Sequence, residues 1–224
     1  MLLAARAGDE PAIEAFLARH AETSMFLRSS LAVLGLFDRD SPRGTAFYVT
    51  LDKDRINGVL GLSNAGFVMT QLPEASAEDW SAFAKVVAGR TISAIAAEAA
   101  QAECVKEVLG LRGAAFGLDS PQPLYRLDLD DLAIPVGTGS LRAPTPADRD
   151  LLYRWTRAYS AELGMSSPQT LDNDARGRTD RAIASGDARI LEVGGMPVAM
   201  TAINARVTDM VQIGGVFTPP ELRG

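Results

Sequence analysis

Val211-Gln-Ile-Gly-Gly-Val-Phe-Thr-Pro-Pro-Glu-Leu-Arg-Gly224 combines residue types that suit the binding of an anion. Val211, Ile213, Val216 and Phe217 are β-branched or aromatic and lack helical spacing, which predicts a strand. Pro219 and Pro220 remove two backbone donors and fix φ, so the ladder stops at Thr218 and the chain turns. Glu221-Leu222-Arg223-Gly224 has the composition of a loop leading to a helix N-terminus. A strand feeding a Gly/Arg loop at a helix start presents free N–H groups and the positive end of a dipole to a phosphate. Gly214 and Gly215 are unfavourable inside a strand unless a bulge or a close backbone approach needs them. A bulged strand with no ligand, and a buried strand with a Pro-rich exit, are the structural alternatives.

Val216-Phe217-Thr218-Pro219-Pro220-Glu221-Leu222-Arg223-Gly224 resembles the fourth strand and following loop of the GNAT acetyltransferase superfamily. In that family the loop reads Arg/Gln-x-x-Gly-x-Gly/Ala, and its amides hold the pyrophosphate of acetyl-CoA. Arg223 and Gly224 match the Arg-Gly that introduces it, and the later glycine is absent. The resemblance implies acetyl-CoA as the acyl donor, with Val216, Phe217, Thr218, Arg223 and Gly224 as binding residues. The backbone of Val216 and Thr218 would pair with the pantetheine arm as though it were an added strand, and Gly214 and Gly215 would form a bulge beside the thioester carbonyl.

The implied activity is acetyl transfer to an amine by direct attack. It requires aligned reactants, a neutral amine, a polarised carbonyl and a protonated leaving thiolate. No catalytic residue has a motif behind it. Glu192, Asp209 and a water held by Gln212 are the candidates for a general base, with a solvated surface carboxylate as the competing reading of Glu192 and Asp209. The family often protonates the thiolate with a tyrosine from its C-terminal half. Tyr153, Trp155 and Tyr159 instead sit at helical spacing and read as core. A non-catalytic tandem module that senses an acyl-CoA or binds a protein partner is the rival class.

Other chemistry finds little support. His20 is the single histidine, and without further ligands at metal-binding spacing no metal site is expected. The single cysteine, Cys104, excludes an intrachain disulfide, fits a reducing, cytoplasmic compartment, and lies in a helical pattern where an inert thiol is expected. A net charge of −6 and a pI near 4.9, with no Lys/Arg cluster, argue against a nucleic-acid surface and favour a cationic or small amine as acceptor. No apolar run reaches membrane-spanning length, and the N-terminal apolar patch has no basic region before it, so neither a membrane span nor a signal peptide is expected. With 47% apolar residues, 22% charged and a mean hydropathy of +0.05, the chain can build a sizeable core.

The elements that must position the site follow from periodicity and punctuation. Asp9 caps a helix to about His20; Thr23 starts another, with Phe26, Leu27, Leu31 and Leu34 as its apolar stripe and Gly35 as its stop. Strands are expected at 47–51, 56–62 and 67–72. Ser76 and Asp79 form a capping box for a helix to Val87, followed by a strand at 91–95, a helix at 97–109, and strands near 114–117 and 124–129. Residues 130–140, rich in Asp, Pro and Gly, read as a linker. Beyond it come a strand at 141–143, a helix opened by Thr145-Pro146 and ended by Gly164, a helix at 175–185, strands at 188–193 and 198–205, and the strand from Met210.

Residues 9–72 and 145–218 thus share one order of elements, with little residue identity. The expectation is an α/β protein of α+β type: two GNAT-like halves, each a mixed, mainly antiparallel sheet flanked by helices, with 1–130 a degenerate copy and 141–224 the start of the acetyltransferase domain. After Leu72 the first copy reads Pro73-Glu-Ala-Ser-Ala-Glu-Asp79, without glycine and with three carboxylates that would repel a pyrophosphate. By comparison with the first copy the second is expected to lack about 50 residues and to leave its last strand with an unpaired edge, open to pairing with another chain, including a second copy.

Overall fold

The computed structural model describes residues 2–224, and the chain divides into two compact units. One runs to Ala114 and includes Val207–Met210; the other comprises Ala115–Arg206 and Val211–Gly224.

In the first unit the elements are β1 (Leu3–Ala4), α1 (Glu10–Ala18), α2 (Ala21–Leu34), β2 (Thr45–Asp52), β3 (Arg55–Ser63), β4 (Phe67–Gln71), α3 (Ala77–Val87), β5 (Ala94–Ala96) and α4 (Ala99–Val108). They form a sheet in the order β1-β2-β3-β4-β5, antiparallel except for the parallel β4–β5 pair. The β2–β3 hairpin turns through Lys53 and Asp54, at φ 46° and 65°, the left-handed pair whose twist matches two antiparallel strands. Helices cover both faces because β3 alternates between two buried clusters. Val59 packs with Ile13, Leu17 and Leu27; Leu60 and Leu62 pack with Trp80, Phe83 and Val105.

In the second unit β6 (Ser140–Arg142) leads through a short 3-10 turn, Pro146–Asp148, into α5 (Arg149–Glu162). Then come α6 (Leu171–Ser185), β7 (Ala188–Val193), β8 (Met196–Arg206) and β9 (Val211–Phe217). The sheet order is β6-β7-β8-β9, and every pair is antiparallel. Leu152, Trp155, Ile190 and Phe217 form its buried cluster. Strand, two helices and a three-strand meander therefore occur twice in the same order. The repeat also includes β1, whose sequence, Leu3-Ala4, is too short for its own pattern to announce a strand.

Several expectations need correction. No strand forms near 114–117 or 124–129; between α4 and β6 the only regular piece is a 3-10 turn at Leu129–Asp131. Pro121 and Pro123 break this stretch, and its apolar residues, Leu127 and Leu129 among them, are exposed. The strand expected at 91–95 is the shorter β5. Asp9 stands at the N-cap of α1 without capping it; its carboxylate accepts from Arg6 N instead, at 2.7 Å. On α2 the buried face is Met25, Leu27, Arg28 and Leu31 with small serines, while Phe26 is only partly buried, edge-on to Phe67. The second sheet is antiparallel throughout, with no parallel pair. Among the described residues no helix is long and apolar enough to cross a membrane.

Candidate functional site

Gly214 and Gly215 sit where β9 departs from regular pairing. Met200 lies opposite Phe217 and Ala202 opposite Gly214, so β9 spends one residue more than β8 over this interval. Gly215 adopts φ +59°, a backbone conformation that side chains disfavour, and Thr201 Oγ1 donates to the Gly214 carbonyl at 3.3 Å. The extra residue reverses the inside–outside alternation. Val211 and Ile213 are exposed, Val216 is exposed, and Phe217 turns inward to 4% exposure beside Met200. Beyond Phe217, Pro219 ends the ladder, and the chain makes a short 3-10 turn, Pro220–Leu222, within the stretch whose composition reads as a loop.

A cavity of about 340 Å³ opens beside this end of β9, lined by Tyr159, Glu162 and Leu163 of the α5 end and by Val216, Phe217, Thr218 and Arg223. Four of the residues expected to bind an acyl donor, Val216, Phe217, Thr218 and Arg223, are thus brought together. Gly224 follows them at φ +109°, in open space. Tyr159 meets Phe217 edge-on, ring centres 6.2 Å apart. Arg223 grips Glu162 with both ends of its guanidinium, Nη1 to Oε1 at 3.1 Å and Nη2 to Oε2 at 2.8 Å. Its Nε donates to the Thr218 carbonyl at 2.8 Å, and its charge lies 5.5 Å above the Phe217 ring. The pairing lowers the pKa of Glu162 and raises that of Arg223, each chiefly through the hydrogen bond to the other.

None of the three candidates for a general base lines this cavity. Glu192 accepts from Arg142 Nε at 2.7 Å, and Asp209 from Arg28 Nη2 at 2.8 Å, which holds the Asp209 carboxyl below its usual range. Gln212 keeps a buried side-chain oxygen with no protein partner. Tyr153 stacks under Arg176 and Trp155 is core, as helical spacing suggested, but Tyr159 reaches the cavity. Glu162 was not singled out from sequence. Its signal was available: a carboxylate in the last turn of a helix opposes the dipole unless a cation is near.

The corresponding strand of the first unit has none of this. The β3–β4 register runs without a shift, and the other edge of β4 is taken by β5. Just past β4, Gln101 Oε1 of α4 accepts from Leu72 N at 2.8 Å and from Thr70 Oγ1 at 2.9 Å. Of the carboxylates that follow, Asp79 closes the capping box with Ser76. In the second unit the far edge of β9 has no strand beside it among the described residues. Glycine bulge, open edge and lined cavity fit an extended amide-bearing ligand; the paired Arg223 offers it no free charge. Among the described residues no cluster of ligands could hold a metal ion.

No protein-family model matches the sequence, and no curated protein matches it. Among solved structures the chain is similar to an acetyltransferase of the GNAT family from Colwellia psychrerythraea, at 10% identity and a TM-score of 0.36. It is also similar to a tandem GNAT protein from the clavulanic acid biosynthesis pathway, at 15% identity and a TM-score of 0.43. Each similarity covers 100% of this chain and 80% of the other.

Proposed function

We propose that this chain is a GNAT-type N-acetyltransferase, that acetyl-CoA is its acyl donor, and that the second unit holds it along β9. The observation that carries this reading is the glycine bulge of β9, set beside an open strand edge and a lined cavity, and missing from the corresponding β4. When bound, the donor supplies an acetyl group activated as a thioester. Backbone groups of Val216 and the Thr218 N–H hold its amides, and the bulge gives its carbonyl close backbone approach. The amine nitrogen forms the new C–N bond as the C–S bond breaks, and the proton it sheds ends on the departing sulfur. The acceptor is an amine, and the chain acts in the cytoplasm.

Calorimetry tests the site directly. CoA should bind the parent, and Gly215→Val and Gly224→Glu should weaken it at least tenfold while far-UV circular dichroism stays unchanged. Equal binding by parent and both variants would remove the assignment. A second reading, a module that holds an acyl-CoA without turnover, is favoured by two observations: none of Glu192, Asp209 and Gln212 lines the cavity, and Glu162 is already paired with Arg223. Binding without thiol release across a panel of amines would select it.

A further inference from the structure

The cavity at the end of α5 already holds a cation, and that cation belongs to the chain itself. Glu162 supplies a two-pronged carboxylate, Thr218 a carbonyl at 2.8 Å, and Phe217 an aromatic face at 5.5 Å from the guanidinium carbon. These are the partners that recognise a guanidinium or ammonium ion, and the last turn of α5 adds the negative end of its dipole. The receptor is held independently of its occupant. Phe217 is fixed by burial and by Tyr159, and Glu162 by its helix. Arg223, by contrast, hangs from a single 3-10 turn with its side chain 43% exposed. An ion pair this exposed is weak and readily exchanged.

We propose that Glu162, Phe217 and the Thr218 carbonyl form the docking site for a cationic group of the acceptor, with Arg223 as a placeholder that the acceptor displaces. The inference rests on the N-acetyltransferase reading for the word acceptor and for nothing else. It narrows the acceptor class. A group paired with Glu162 is held in its charged form and is no nucleophile. The reacting amine must therefore be a second nitrogen, joined to the first by a spacer that lies along the apolar walls, Leu163 and Val216. A guanidino-amine or a diamine has this chemistry.

Agmatine, a guanidinium and a primary amine on a short methylene spacer, is the probe. It is titrated by calorimetry into the full chain without acyl donor, using the parent, Arg223→Ala, and Arg223→Ala with Glu162→Gln. Removing the placeholder should tighten agmatine binding about fivefold, the scale of one exposed ion pair, and adding Glu162→Gln should abolish the gain. Arg223→Gln serves as the replacement if Arg223→Ala lowers the thermal midpoint. Unchanged affinity in the Arg223 variants, or tightening that survives Glu162→Gln, overturns the proposal. A separate transfer assay keeps the two readings apart. Tightening without acetyl transfer upholds the cation site against the enzyme reading, and transfer without tightening does the reverse.

Discussion

Asp148 shows how one side chain can be fully committed by its neighbours. It accepts from Thr145 N at 2.7 Å and Thr145 Oγ1 at 2.9 Å, and from both terminal nitrogens of Arg142 at 2.8 Å. Arg142 in turn holds Glu192, which ties β6, β7 and the start of α5 into one charged cluster. The hydrogen bonds from Arg142, followed by those from Thr145, hold the Asp148 carboxyl well below the usual carboxylate range. A folded pKa below the unfolded value of about 3.9 contributes stability at neutral pH, and that contribution is lost as pH falls through the folded pKa. Asp148→Asn should therefore cost about 1–3 kcal/mol at neutral pH through the lost cap and charged pair. Urea melts of parent and variant at neutral pH and again near pH 3 check this. The gap between them should narrow on acidification, and a gap independent of pH would show that charge plays no part.

At the scale of elements, β9 carries a residue inserted at Gly214 and Gly215 where the β3–β4 register has no shift, and the insertion turns Phe217 inward. The two glycines that make the bulge should not respond alike. A Cβ on Gly214 would come within 1.9 Å of the Asn204 amide, but that side chain is exposed and can swing away. A Cβ on Gly215 meets nothing closer than 3.7 Å, yet its φ of +59° is strained for any side chain. Gly215→Ala should cost about 1–2 kcal/mol and Gly214→Ala less, and Asn204→Ala should recover the Gly214 loss only. A denaturant series over the three single variants and the two doubles that combine Asn204→Ala with each glycine substitution decides it. Equal losses at both glycines would mean that the turn of backbone does not reside at Gly215.

For the molecule as a whole, two copies of one arrangement have diverged in what the end of their third meander strand does. In the first unit Gln101 has taken the Leu72 amide, and β5 has taken the strand edge. In the second no strand lies beside the far edge of β9 among the described residues, and a cavity adjoins its end. CoA should consequently titrate to one site per chain. Gln101→Ala should cost about 1–3 kcal/mol by orphaning two buried donors, without adding a second site. A stoichiometry of two, in the parent or in this variant, would show that the first unit retains a binding cleft.

The sequence by itself determined whatever is settled within a few residues. Ser76 with Asp79, and Thr145-Pro146 with Asp148, started their helices as their spacing required, and Gly35 and Gly186 ended theirs with positive φ. The meander strands were legible because apolar runs and turn residues alternate there, and β9 was placed to within a residue of its end. Tertiary structure alone decided the rest. Leu3-Ala4 became a strand because Tyr48 and Val49 were there to pair with it, while the residues near 124–129 found no partner strand. Phe217 faces inward only because a bulge, counted against β8, changed the parity of β9. Arg223, read as a free phosphate ligand, is bound to a carboxylate 61 residues away. Caps and turns are local balances of backbone donors and allowed φ, which a short window contains. Strand pairing, facing and ion-pair partners are settled by residues far apart in the chain, and no short window holds both members of the pair.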